Sequence, residues 1–268
     1  MKKVSLDDYK YEYYEKPEIK LTVFYYDNEY SDASIAEKVL ANLEKYGFFP
    51  PEKMYIDRMT KGRYLKYKTE MRDMFVEAYC KPGVMSIGMA DGNSRKVEDL
   101  WEFDWNFTFY KTLMLENRPH TGTVKPWNTL SLRMTYGRFK DPAIYANYFS
   151  FAKAVMCDID PVFARIDDIA YGLYLRDRLG LDFMTLDHAQ QIYWGNYFGS
   201  DWCKKYGISD GADIPAYTVE KLGNGVFFTL SDNVLDFASA ECDARRARIR
   251  KRLGLKPYGT KLSSIFGI

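Results

Sequence analysis

The spacing of apolar positions changes period several times along the chain, and each change marks an element. Leu21-Thr22-Val23-Phe24-Tyr25-Tyr26 is a β-branched and aromatic run that predicts a buried strand. Ser31 or Asp32 then caps a helix whose stripe Ile35, Val39, Leu40, Leu43 and Tyr46 recurs at helical spacing and stops at Gly47. A second helix is expected over Leu65 to Tyr79, with Met71, Met74, Phe75 and Ala78 on one face, followed by a strand at Val84 to Met89 before the turn signal Asp91-Gly92-Asn93.

The period then drops to two. Phe103 to Phe109 and Leu130 to Tyr136 alternate large apolar with polar residues, which predicts an antiparallel pair joined by a loop containing Gly122 and Pro126. Asp141-Pro142 opens another helix, Asp as cap and Pro at the first helical position, with Ile144, Tyr148, Phe151 and Val155 as its buried stripe. Strands are expected at Phe163 to Ile169, Gln191 to Trp194 and Gly225 to Leu230, a short helix at Asp201 to Tyr206, and a terminal helix beginning at Asp232 or Asp236.

Antiparallel strands interrupted by single helices point to an α+β fold, mainly antiparallel sheet with packed helices. A strand-helix-strand rhythm appears around Leu21 to Met59 and again around Leu130 to Ile169. Two similar α+β subdomains would produce it, and so would coincidence. The division expected is an irregular arm over 1–18, an amino-terminal half over 19–120 and a carboxyl-terminal half over 121–268.

Composition narrows the function classes. The 268 residues carry 38 Lys plus Arg against 37 Asp plus Glu, so global charge offers no argument for a nucleic-acid or membrane partner. No apolar run approaches the roughly 18 residues needed to span a bilayer, and the amino terminus turns acidic and tyrosine-rich where a signal peptide needs an apolar core. The cytoplasm is the expected location. Cys80, Cys157, Cys203 and Cys242 are widely spaced and form no zinc or redox pair, so free and mostly buried thiols are expected. Aromatic content is high, with 23 Tyr and 17 Phe, which suits both packed sheets and protein-binding surfaces.

Catalytic signatures are missing. His120 and His188 are the only histidines, no Gly-x-Ser-x-Gly elbow accompanies them, and neither a Walker sequence nor a dinucleotide fingerprint occurs. Gly223-Asn224-Gly225 reads as a turn into a strand. Two charged regions stand out. Asp158, Asp160, Asp167, Asp168, Asp177, Asp182 and Asp187 face only Arg165, Arg176 and Arg178 over residues 157–187, a local balance of seven minus three, or −4. That region reads as solvated surface, as a patch for a basic partner or as a carboxylate metal site, although the Gly and terminal Glu of an EF-hand are absent. Arg245, Arg246, Arg248, Arg250, Lys251 and Arg252 put six positive charges in eight positions. This run reads as a structural helix end or as a phosphate-binding face.

The most distinctive stretch is Ile192-Tyr193-Trp194-Gly195-Asn196-Tyr197-Phe198-Gly199-Ser200-Asp201-Trp202, followed by Leu222-Gly223-Asn224-Gly225-Val226-Phe227-Phe228 and an acidic turn at Ser231-Asp232. Over residues 186–240 it resembles the immunity protein fifty-two family of polymorphic-toxin and type VI secretion systems. The residues themselves suggest architecture: Gly195 and Gly199 would permit positive φ around Asn196, while Trp194 and Phe198 would anchor a turn that also contains Tyr197.

The resemblance implies an antitoxin of interbacterial competition, a protein that binds and neutralises a cognate secreted toxin without catalysis, metal or cofactor. Toxins paired with this family are often nucleases, whose basic clefts suit an acidic patch, so Asp158, Asp160, Asp167 and Asp168 are the candidate toxin-binding residues. Two other readings stand beside this one: a metal-dependent enzyme built on Asp158 to Asp187, and a nucleic-acid-binding module using Arg245 to Arg252.

Overall fold

The computed structural model describes residues 18–26, 32–57, 60–61, 63–81, 83–84, 86–92, 103–111, 128–169, 171, 189 and 191–255. Six α-helices and ten strands lie among them, and the class is α+β. The chain divides into two compact units: one spans Leu21–Pro161, and the other gathers the described residues before and after it. The division therefore falls at Pro161/Val162, while the expected cut near residue 120 lies outside the described residues.

The first unit contains most of β1 (Glu18–Tyr25), then α1 (Ala33–Lys45), β2 (Lys53–Ile56), β3 (Leu65–Lys66), α2 (Met71–Cys80), β4 (Ser86–Gly92), β5 (Phe103–Tyr110), β6 (Asn128–Thr135), α3 (Tyr136–Phe139) and α4 (Pro142–Ile159). Its strands run in the order β3-β2-β4-β5-β6-β1, and each pair from β3 to β6 is antiparallel. Helix boundaries follow local chemistry. Asp32 accepts from Ser34 N at 2.9 Å, and Gly47 follows α1 at φ +80, while Asp141 accepts from Ala143 N at 2.8 Å ahead of Pro142.

Alternation along β5 separates two faces. Phe107 and Phe109 turn to the helices, where Phe107 meets Phe75 of α2 at 6.4 Å and Phe151 of α4 at 6.4 Å, and Tyr25 bonds Tyr79 at 2.9 Å. Asn106 and Thr108 lie on the opposite face, where Asn106 Nδ2 donates to the Tyr64 hydroxyl at 2.7 Å. Burial pushes that hydroxyl's pKa up, and the Asn106 bond only partly offsets the effect.

The second unit contains β7 (Phe163–Asp168), β8 (Gly195–Phe198), α5 (Ser200–Tyr206), β9 (Thr218–Leu222), β10 (Gly225–Thr229), a 3-10 turn at Val234–Asp236 and α6 (Ala240–Arg252). The strands are antiparallel in the order β7-β8-β10-β9. Gly223 at φ +51 opens the two-residue loop that pairs Leu222 with Gly225, as a tight hairpin requires. Packing is aromatic: Phe163 of β7 stacks on Trp202 of α5 at 4.7 Å, and Phe198 of β8 meets the same ring edge-on at 5.0 Å.

Three sequence expectations shift. The helix expected from Leu65 begins only at Met71, because Leu65 and Lys66 pair with Met54 and Lys53 as an edge strand. Gln191 to Trp194 is not a strand; β8 starts at Gly195, and the preceding residues bond α6. The terminal helix starts at Ala240, capped by Ser239, after the separate 3-10 turn. None of the four cysteines is in a disulfide, but Cys157 is exposed and only Cys203 and Cys242 are buried.

Candidate functional site

The four candidate aspartates do not share one surface. Asp158 and Asp160 are exposed at the carboxyl end of α4, where Asp158 accepts from Asn42 Nδ2 at 2.7 Å and its carbonyl from Lys38 Nζ at 3.2 Å. Asp160 caps the helix in the left-handed region at φ +44, a conformation that Asp tolerates better than most residues. Asp167 and Asp168 belong to the second unit and are buried, at 4% and 3% exposure, so neither can face a partner as the sequence suggested. Asp168 Oδ1 instead accepts from Tyr171 N at 2.7 Å, closing the turn after β7.

The reason is a buried polar cluster organised by the arginine run. Arg246, at 1% exposure, donates from Nε to Ile192 O at 2.8 Å, from Nη2 to Phe237 O at 3.1 Å, and from Nη1 to the Tyr171 hydroxyl at 2.8 Å and to Asp243. Arg250 donates to Gln191 Oε1 at 2.9 Å. Asp167 sits near this cluster and accepts from Asp168 N at 3.0 Å, but its Oδ2 has no hydrogen-bond partner among the described residues. Burial raises its pKa to about 7, while the nearby Arg246 charge pulls it down and Asp168 pushes it up.

This cluster also answers the phosphate-binding reading of residues 245–252. Arg246 and Arg250 are buried, Arg245 pairs with Glu241 at 2.6 Å, and Arg252 pairs with Asp213. Only Arg248 and Lys251 of the six remain as exposed positions without such a pairing described. Among the described residues, no group of His, Cys, Asp or Glu could hold a metal ion; Asp177, Asp182, Asp187, His120 and His188 lie outside them.

The distinctive motif is architecture, though by a different device from the one expected. Gly195 to Phe198 form an internal strand, not a turn, and Gly199 has φ −68. Positive φ occurs at neither glycine. Gly195 sits in tight space: a Cβ there would stand 3.2 Å from Ile166 Cβ, which would have to give by a few tenths of an ångström, and in ordinary contact with the Phe227 ring at 3.5 Å. Asn196 is fully buried and bonds the chain just before the strand, accepting from Tyr193 N and donating to Tyr193 O, both at 2.9 Å. Trp194 is buried and donates its indole N–H to Ser231 Oγ at 2.7 Å, while its carbonyl accepts from Leu230 N.

A site that the sequence reading missed lies in the first unit. A cleft of about 120 Å³ opens where the end of α1, strands β4 to β6 and the start of α4 meet, bounded by Tyr46, Phe48, Asp91, Trp105, Arg138 and Asn147. Phe48 and Trp105 pack edge-on at 5.8 Å. Asp91 and Trp105 are directly opposed across the β4–β5 ladder, and Trp105 Nε1 donates to Asp91 Oδ2 at 2.7 Å. Asp91 Oδ1 accepts from Glu52 N at 2.7 Å, and Glu52 Oε2 accepts from Gly92 N at 3.2 Å. Burial raises the Asp91 pKa; these bonds lower it, Glu52 raises it further, and the Arg138 charge pulls it back only weakly. Arg138 is paired instead with Asp104 at 3.0 Å. The sequence signal was an acid near the end of one strand opposite a tryptophan in the alternation of the next, but Asp91-Gly92-Asn93 reads as a turn until the register is known.

No family model matches the chain, and no curated protein matches it either. Among solved structures its fold is similar to that of the Pseudomonas aeruginosa T6SS protein PA0821, with a TM-score of 0.62 over 91% of this chain and 74% of that one. Sequence identity is 11%, so the likeness is one of fold.

Proposed function

We propose that the chain is an immunity protein of a type VI secretion or related polymorphic-toxin system, which binds a cognate secreted toxin in the cytoplasm and neutralises it by stoichiometric contact. The observation that carries this reading is the fold likeness to a T6SS protein across nearly the whole chain. It fits the type VI secretion setting that the resemblance of the Trp194 to Gly199 motif implies, while no family model matches the chain. Such a role needs a stable scaffold bearing a variable, partner-specific surface. The aromatic packing of β7, β8 and α5 supports the scaffold, and Asp158 and Asp160 supply exposed acid for a basic partner.

Co-expression tests this directly. Cells making the toxin encoded beside this chain should grow when the chain is present, and the two proteins should co-purify without added metal or nucleotide. Failure to protect against any toxin encoded beside it would overturn the proposal.

A further inference from the structure

We draw no further inference here: the strongest candidate, the sheet face opposite the helices of the first unit, where Tyr110 is exposed on the same side of β5 as Asn106 and Thr108, carries nothing because nothing in the structure shows what covers it.

Discussion

The Tyr171 hydroxyl accepts a hydrogen bond from Arg246 Nη1 at 2.8 Å and donates its own proton to Asp243 Oδ1 at 2.9 Å. This relay joins the turn after β7 to α6 and turns part of the basic run into internal structure. Arg246→Ala should therefore lower stability by about 3 kcal/mol or more, because two backbone carbonyls and a buried hydroxyl lose their donor. Arg248→Ala, at an exposed position of the same helix, should stay within about 0.5 kcal/mol of the wild type. Urea denaturation of the two variants distinguishes a structural from a surface arginine.

Asp167 should make stability depend on pH in an unusual sense. Its folded pKa, about 7, lies above the ordinary 3.8, so between those values the folded chain holds a proton that the unfolded chain has released. Stability is then lost as pH rises through this window, by an amount on the order of 4 kcal/mol once the buried group is fully ionised. Asp167→Asn keeps an oxygen to accept from Asp168 N and carries no charge. Its melting temperature should fall less than that of the wild type between pH 5 and pH 8, and parallel curves would contradict the assignment.

Trp194→Ala should act through the fold. The side chain is 2% exposed and its indole N–H is bonded to Ser231, so truncation leaves a large cavity, for a loss of about 3–5 kcal/mol, while the Ser231 hydroxyl keeps its bond to Asn233 O. Differential scanning calorimetry should show a large drop in Tm. A normal melt with lost toxin binding would instead put Trp194 at the interface.

The paired substitution Asp158→Asn and Asp160→Asn should slow toxin association with little change in stability. Asn at 158 can still accept from Asn42, and Asn at 160 tolerates the left-handed backbone. Stopped-flow mixing should show the larger slowing at low salt, where the Debye length is about 30 Å at 0.01 M compared with about 8 Å at 0.15 M. Equal rates at both salt concentrations would make these two carboxylates ordinary solvated surface.

Elements bounded by their own residues were legible in the sequence. Asp32 and Gly47 bracket α1, Asp141-Pro142 starts α4, and the alternation of β5 and β6 survives as an antiparallel pair in register Phe107 with Leu132. What failed depended on distant partners. Leu65 and Lys66 carry helix-compatible neighbours, yet pairing with β2 holds them extended. The acidic sum over residues 157–187 could not show that Asp167 and Asp168 are buried, because the arginine beside them comes from α6, far along the chain. The cleft was invisible for the same reason: Phe48, Asp91 and Trp105 meet only once β4 and β5 are in register.

Asn196 contacts Tyr193 through main-chain atoms alone, giving and taking one bond each. Every amino acid except proline offers that same pair of groups. The clasp therefore places no demand on which side chain stands at position 193, and the Tyr193 ring is left to its own business with Arg165. Tyr193 is itself buried and packs on Phe163 and Arg165, so substitution there is limited by packing and not by the clasp, whereas at Asn196 the clasp itself is lost.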